Sequence, residues 1–191
     1  MIVIGLCGYT GAGKSTVAEI IYSTYKSVQV LSTGDIVRNL MRKENIELNH
    51  INMQMFNNLI HKKLKDNYIK IVYDFIDYDK KIIIIDSLRT PSDRAKLKSD
   101  FKNFILIGIL SKDVLRFKRV INRKRKTDIR SKKDFMELKN IELVGGVEKL
   151  IKFTDLTIEN NYINIDDFKK NTLDKVDYYF RKYLYFATHS K

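Results

Sequence analysis

Residues 5–21 read GLCGYTGAGKSTVAEII, and within them Gly8 to Ser15 satisfy the pattern G-x-x-x-x-G-K-[ST]. The run MIVIGLC that leads into the loop is apolar without polar alternation, which is typical of a strand buried on both faces. Behind the loop, apolar side chains recur at helical spacing: Val17, Ile20, Ile21 and Tyr25. A strand, a glycine-rich loop and a helix in this order are the context in which the pattern binds phosphate.

The chemistry of this loop predicts a site for a nucleoside triphosphate. Glycines let backbone N–H groups turn inward around a phosphate chain, which then lies at the positive end of the following helix. In this pattern Lys14 reaches the β- and γ-phosphates, and the Ser15 hydroxyl ligates Mg²⁺. We therefore expect ATP and Mg²⁺ as cofactors. The expected ATP contacts are Gly8, Thr10, Gly11, Ala12, Gly13, Lys14, Ser15 and Thr16.

Four further apolar runs predict the remaining strands, at 28–31, 82–85, 104–110 and 156–160. Helical patterns separate them, and alternation of strands and helices is typical of a parallel sheet with helices on both faces. With 191 residues, 44% of them apolar, the chain suits one sizeable core. The prediction is a three-layer α/β fold with a five-stranded parallel sheet, in one domain spanning residues 1–191.

Local signals place several helix ends in this scheme. In TPSD, Thr90 is predicted as the N-cap, Pro91 as the first helical residue and Asp93 as the third residue past the cap. Asp166 is predicted to cap the final helix, and residues 50–78 are expected to form one or two helices.

Composition limits the cellular setting and the partners. The single cysteine, Cys7, excludes an internal disulfide and favours a reducing intracellular environment, where it is expected to be a small buried side chain. The apolar runs are too short to span a bilayer and Met1 leads straight into a strand, so a soluble, cytoplasmic protein without membrane partners is expected. The three histidines are isolated from one another, which predicts that any metal is bound by oxygen.

Most of the formal net charge of +13 lies in Ser111–Lys133, where 11 Lys or Arg face two Asp. This basic segment favours an anionic partner, although bulk charge says nothing about the fold. Asp86 is predicted to end the strand IIIID, at the carboxyl edge where parallel sheets bind ligands. There it is predicted to hold Mg²⁺ through water.

Two later motifs resemble the nucleoside monophosphate kinase superfamily. The residues Ser32-Thr33-Gly34-Asp35, with Arg38 three residues on, are similar to the acceptor-binding segment of adenylate kinases. Asp86-Ser87-Leu88-Arg89-Thr90 stands where that family has D-G-F-P-R-T, so the chain departs from it in lacking the glycine and the proline, and its lid is shorter. The resemblance implies acceptor-binding helices at about 34–78. It also implies that Arg38 and Arg89 grip the acceptor's phosphate, with Thr33 and Gly34 near its base.

Over nearly its full length the chain resembles a small archaeal family described as dephospho-coenzyme-A-kinase-like. That pattern is met by the P-loop and then by Gly34–Arg38, Asp86–Arg89, Arg123–Asp128 and Asn160. The resemblance implies a short basic lid at about 119–142, and donor-nucleotide contacts from Arg119 and Asn160. Guanidinium groups bind phosphate oxygens in a fixed fork, which suits a lid that stabilises a transferring phosphoryl group. The residues within its reach are Arg119, Arg123, Arg125 and Arg130.

The predicted function is an ATP-dependent kinase whose catalytic residues are Lys14, Asp35, Arg89, Arg123 and Arg125. A nucleoside monophosphate is the favoured acceptor, because two arginines are available for its phosphate. With the hydroxyl of a dephospho-coenzyme-A-type acceptor, Asp35 would act as general base, whereas with a phosphate acceptor it would mainly cap its helix. A nucleotide-dependent RNA-binding or assembly protein is the alternative from another class. A GTPase is disfavoured because no N-K-x-D segment is found, and the oligomeric state is left open.

Overall fold

A computed structural model describes residues 1–64, 68–122, 129 and 131–189 of the chain. In chain order, its elements are β1 (Ile2–Cys7), α1 (Lys14–Thr24), β2 (Val28–Ser32), α2 (Thr33–Lys43), α3 (His50–Leu64), α4 (Lys70–Tyr73), β3 (Ile82–Leu88), α5 (Pro91–Asp100), β4 (Phe104–Leu110), α6 (Asp113–Asn122), α7 (Lys132–Val144), α8 (Val147–Ile151), β5 (Leu156–Glu159) and α9 (Ile165–His189).

The five strands form one parallel sheet in the order β2-β3-β1-β4-β5. The central strand β1 pairs with β3 on one side and with β4 on the other, so that Ile4 lies between Ile84 and Ile105. Since all strands run the same way, their carboxyl ends lie along one edge of the sheet. The loop after β1 and the residues after β2 and β3 therefore meet there, as the sequence predicts.

The core has two parts because alternate strand residues point to opposite faces. Ile4 and Leu6 of β1 pack on the side covered by α1 and α9. Val3 and Cys7 pack on the other side, against Leu97 of α5 and Leu150 of α8. This arrangement confirms the three-layer α/β fold. Burial raises the pKa of the Cys7 thiol to about 12, so this side chain is a protonated apolar filler, as predicted.

Of the two predicted helix caps, Thr90 is confirmed and Asp166 is not. Thr90 caps α5 in a full capping box: its hydroxyl accepts from the Asp93 N–H at 3.2 Å, and the Asp93 carboxylate accepts from the Thr90 N–H at 3.2 Å. The prediction for Asp166 is wrong. Helix α9 begins at Ile165, and Asn164 Oδ1 accepts from the Asp166 N–H at 2.9 Å, so Asp166 lies in the first turn.

The stretch 50–78 holds two helices, α3 and the four-residue α4, in agreement with the one or two expected there. Helices α7 and α8, between the basic segment and β5, lie outside the predicted element pattern. Helix α7 packs against α3, so residues after 131 lie close to one of the predicted acceptor-binding helices. Within the described ranges, no helix combines the length and apolar character needed to cross a membrane.

Candidate functional site

The phosphate-binding loop makes the turn from β1 to α1. Its last glycine, Gly13, has φ of 107° and serves as the N-cap of α1. A Cβ at this position would lie 2.3 Å from Asn160 Nδ2, so neither the backbone conformation nor the space allows a side chain. Asn160 Nδ2 in turn donates to the Ala12 carbonyl at 2.8 Å, which fixes the loop against the end of β5.

Lys14, the first residue of α1, lies back across this loop. Its Nζ donates to the carbonyls of Gly8 at 2.8 Å and Tyr9 at 3.1 Å. Burial lowers the pKa of Lys14, while the negative charges of Asp86 and Glu142 act in the opposite direction. The loop thus carries one ammonium group whose partners are main-chain oxygens.

Ser15 and Asp86 form an oxygen pair at the carboxyl edge of the sheet. The Ser15 hydroxyl donates to Asp86 Oδ2 at 2.8 Å, and Asp86 is only 5% exposed. Strand β3 continues past Asp86 to Leu88, although Asp86 was expected to end it, and Ser87 there has φ of 75°. A hydroxyl beside a carboxylate is a ligand set that Mg²⁺ prefers. Among the described residues, no group of three or more His, Cys, Asp or Glu converges as a metal site.

A cavity of about 400 Å³ opens beside this pair, between α1, β2 and the start of α2. Its lining includes Ser15, Asp86, Asp35 and Arg38, so residues predicted for the metal and for the acceptor share one cleft. The side chains of Asp35 and Arg38 form an ion pair one helical turn apart, with 65% and 27% of their surfaces exposed. Ser32, and not Asp35, is the N-cap of α2, because its hydroxyl accepts from the Asp35 N–H at 3.2 Å. The expectation that Asp35 caps this helix is therefore wrong.

The neighbours Thr33 and Gly34 contribute differently. The Thr33 hydroxyl lies within 3.0 Å of the carbonyls of both Asp86 and Ser87, and the side chain is buried. This residue ties the start of α2 to the end of β3. Gly34 lies in the first turn of α2, where a Cβ would be 3.5 Å from Arg38 Nη1.

Arg89 does not line the 400 Å³ cavity. Its Nη1 donates to Oε1 of the buried Gln54 on α3. The guanidinium of Arg89 thus contacts α3, and its positive charge contributes to lowering the pKa of Lys14 in the phosphate-binding loop.

Around Gln54 lies a polar group of residues that the sequence analysis did not single out: Asn57, His61 and Tyr68. The Tyr68 hydroxyl donates to Asn57 Oδ1 at 2.8 Å, and its ring lies 3.5 Å from that of His61. Asn57 Nδ2 and His61 Nε2 are buried and make no hydrogen bond within the described part of the chain. The signal in the sequence is polar residues at 54, 57 and 61, spaced three and four apart on one helix face.

Two titratable side chains in and beside this polar group, His61 and Asp93, have shifted pKa values. Burial lowers the pKa of His61 to about 4, and the positive charge of Arg89 adds to this effect. Burial raises the pKa of Asp93 to about 6, against the opposing effect of its hydrogen bonds to Thr90. His61 Nδ1 lies 3.6 Å from Asp93 Oδ1. At neutral pH this arrangement holds a neutral imidazole beside a carboxylate.

A second cavity, of about 240 Å³, lies on the far side of the loop. Gly13, Thr16, Arg119 and Asn160 line it, together with the loop from Tyr162 to Ile165 and Phe168. Arg119 Nη2 donates to Asn160 Oδ1 at 3.0 Å, and Nη1 donates to the Ser111 hydroxyl at 2.9 Å. The structure thus brings together Arg119 and Asn160, the two residues outside the loop that were predicted to contact the donor nucleotide. Arg123, Arg125, Asp128 and Arg130 lie outside the described residues.

Comparison with known proteins places this geometry in a family. A family model described as an AAA domain, AAA_17, matches residues 7–139, which is more than half of the chain and includes the loop, α2 and Arg89. The chain belongs to this family. A UPF0200 protein of the archaeon Methanosarcina barkeri is 25% identical over 185 residues, which cover 95% of this chain and 98% of that protein.

Solved structures share the fold at lower identity. A shikimate kinase from Acinetobacter baumannii aligns with a TM-score of 0.58 and 16% identity, over 100% of this chain and 96% of its own. A gluconokinase from Sinorhizobium meliloti aligns with a TM-score of 0.57 and 15% identity, over 98% of both chains. The expected resemblance to P-loop kinases and to an archaeal family is confirmed. At these identities the likeness to solved structures concerns the fold.

Proposed function

We propose that this protein is an ATP-dependent kinase that transfers the γ-phosphoryl group of Mg·ATP to a small nucleotide-like acceptor. The observation that carries the proposal is the single cleft in which Ser15 and Asp86 adjoin Asp35 and Arg38. Oxygen ligands suited to Mg²⁺ thus share a cavity with a cation suited to an acceptor's phosphate. The kinase-like fold, and neighbours named shikimate kinase and gluconokinase, support a small-molecule acceptor.

The residues of the loop suit Mg·ATP. Lys14 Nζ donates to two loop carbonyls, and an ammonium group held in this way can donate to phosphate oxygens instead. Ser15 and Asp86 offer the hard oxygen ligands that Mg²⁺ takes alongside phosphates and water. When bound, Mg·ATP would supply the phosphoryl group, with the metal neutralising part of its charge. Arg119 and Asn160, at the second cavity, would contact the rest of the nucleotide.

Charge stabilisation is the main task of the remaining residues. In phosphoryl transfer negative charge spreads over the oxygens of the transferring group, so fixed cations around it lower the barrier. We assign this role to Lys14 and Arg89, because the positive charge of Arg89 contributes to lowering the pKa of Lys14. Arg123 and Arg125 join them on the strength of their sequence position in the basic segment.

A nucleoside monophosphate is the acceptor we favour. Arg38 lines the cleft and Arg89 directly follows β3, the strand that carries Asp86, so we assign both guanidinium groups to the acceptor's phosphate. A hydroxyl acceptor of the dephospho-coenzyme-A type is the second candidate, because Asp35 lines the same cavity and a carboxylate there can accept a proton. In that case Asp35 would first have to leave its ion pair with Arg38.

The test is ADP release from Mg·ATP in the presence of AMP, GMP, CMP, UMP, dephospho-coenzyme A, shikimate or gluconate. We expect one of the monophosphates to stimulate release most. Asp35→Asn should then retain activity within about threefold, whereas a hydroxyl acceptor requires a loss of about a hundredfold or more. Turnover that no acceptor stimulates would overturn the kinase proposal and favour the RNA-dependent alternative.

A further inference from the structure

Two buried charged side chains contact the phosphate-binding loop, and neither was among the residues predicted for the site. Arg116 of α6 is 1% exposed and Glu142 of α7 is 2% exposed. Burying a charge is costly unless it is paired and fully hydrogen-bonded. The partners of these two side chains therefore indicate what the pair does.

Both side chains hold one loop residue, Thr10. Glu142 Oε1 accepts from the Thr10 N–H at 3.0 Å and from the Thr10 hydroxyl at 2.7 Å. Arg116 Nη1 donates to the Thr10 carbonyl at 3.2 Å and lies 3.9 Å from Glu142 Oε2. Thr10 is thereby held at its amide, its carbonyl and its side chain. We call Arg116 and Glu142 the Thr10 clamp.

The guanidinium of the clamp is itself fixed on several sides. Asp113 Oδ1 accepts from Arg116 Nη2 at 2.8 Å and from Nε at 3.2 Å. The rings of Tyr9 and Phe135 lie 4.7 and 5.1 Å from its central carbon, within range for cation–π contact. Because these contacts fix the guanidinium, it can determine the position of the loop residue to which it donates.

Helix α6 also packs closely against the next loop residue, Gly11. Gly11 has φ of 80°, and a Cβ there would lie 2.7 Å from the Arg116 carbonyl oxygen and 2.9 Å from Val120 Cγ2. Packing and hydrogen bonding thus act on consecutive residues, Thr10 and Gly11, at the start of the loop.

We propose that Glu142 and Arg116 are positioning residues for the donor phosphates: by holding the Thr10 peptide they keep the N–H groups of the loop oriented for a phosphate chain. This proposal rests on the proposed function only in assigning the loop to a phosphorylated nucleotide. The clamp is not among the residues lining the cavity of Arg119 and Asn160. Its loss is therefore expected to weaken ligands that carry phosphates and to spare a nucleoside.

The experiment compares ADP with adenosine, each competing against a fluorescent ADP analogue, while thermal unfolding reports on the fold. Glu142→Gln keeps the shape of the side chain but removes its charge, and Glu137→Gln makes the same change at an exposed position of α7. Thr10→Val removes the hydroxyl that donates to Glu142, whereas Thr10→Ser keeps a hydroxyl at this position.

We expect Glu142→Gln to weaken ADP binding about tenfold and Thr10→Val about threefold, with adenosine binding within about twofold of wild type. Glu137→Gln should leave both affinities unchanged, and Thr10→Ser should recover the ADP affinity that Thr10→Val loses. If Glu142→Gln does not fold, the valine and serine variants decide by the same comparison.

Two results would overturn the proposal. One is that the binding of ADP and of adenosine weakens by the same factor, and the other is that ADP affinity stays within twofold of wild type in both Glu142→Gln and Thr10→Val. ADP binding needs no acceptor and no phosphoryl transfer. A protein that shows the expected ADP effect but phosphorylates nothing would refute the proposed kinase activity and leave the clamp in place.

Discussion

The two sides of the cleft are held together in different ways. On the donor side, the side chains of Lys14, Asn160 and Arg116 all donate to main-chain carbonyls of the loop. On the acceptor side Arg89 and Gln54, and Tyr68 and Asn57, are joined side chain to side chain, although Thr33 and Asn58 donate to main-chain carbonyls there as well. A main-chain carbonyl is present whatever residue carries it, whereas a side-chain pair changes with either partner. In the proposed kinase, substitutions at Gln54, Arg89, Asn57 or Tyr68 would therefore change contacts that substitutions of the loop residues leave in place.

One helix connects the two sides. Glu142 of α7 accepts from Thr10, and the preceding residue, Ile141, accepts at its carbonyl from Asn58 Nδ2 of α3 at 3.4 Å. Helix α7 therefore contacts the phosphate-binding loop and the acceptor-side helix within one turn.

The largest effect should come from the donor side. Lys14→Ala removes the loop's ammonium group, and we expect kcat/KM for ATP to fall by about a thousandfold, since preorganised charge on the phosphoryl group is lost. The unfolding midpoint should not fall, because the substitution also removes the cost of keeping a half-buried ammonium group in the folded protein. Lys26→Ala, at an exposed lysine just beyond α1, is the control and should leave kcat/KM unchanged. A loss below tenfold for Lys14→Ala would contradict the donor assignment.

A smaller effect is expected at the acceptor cation. Arg38→Met should raise KM for a monophosphate acceptor about thirtyfold, because a charge-assisted hydrogen bond to phosphate is lost, while KM for ATP changes little. Arg42→Met, one turn further along α2 and exposed, provides the matched control. Initial rates with either substrate varied separate the two KM values. Equal increases in both would show that Arg38 does not distinguish the two sides of the cleft.

Smaller still is the effect expected for Gln54, which acts through Arg89. Gln54→Leu leaves the guanidinium without this oxygen, and we expect kcat/KM for the acceptor to fall about tenfold with KM for ATP within twofold. Gln54→Glu offers an oxygen again and should recover most of the loss. If the leucine variant matches wild type, the pair does not position Arg89 for the acceptor.

The contrast between the two sides also explains what the sequence could predict. The donor loop, its flanking strand and helix, and the α5 cap at Thr90 are local patterns, in which a few neighbouring residues determine the backbone. The final helix shows the limit of such patterns. Asn164 and Asp166 are both suitable caps, and packing of Phe168 against the core favours the earlier start.

Several residues that meet only through the tertiary structure were missed. Gln54, Asn57 and His61 look like the solvated face of a helix, and nothing local shows that Tyr68 and Arg89 cover it. Glu142 is separated from Thr10 by 132 residues, and its partner Arg116 is hidden within a run of other basic residues. Charge density predicts an anion-binding segment, but it does not reveal which arginine is buried.

The acceptor side contains a pair of titratable groups whose effects on stability oppose each other. Asp93 has a pKa of about 6 in the folded protein and 3.8 as its ordinary value, so folding takes up a proton between these values and its contribution to stability falls as the pH rises. His61 has a pKa of about 4 when folded and 6.5 ordinarily, so its contribution rises with pH over the same interval.

Removing either group should therefore reveal the other. His61→Gln leaves Asp93, and the free energy of unfolding should decrease from pH 4.5 to pH 6, with a slope of at most about 1.4 kcal/mol per pH unit. Asp93→Asn keeps an oxygen for the Thr90 N–H and leaves His61, so the free energy of unfolding should increase over that interval. Urea titrations at the two pH values measure these changes, and subtracting the wild-type values, which cancels the other titrating groups, isolates the contribution of the group that each variant removes. Slopes of the same sign in the two variants would mean that the burial of these groups does not govern their protonation.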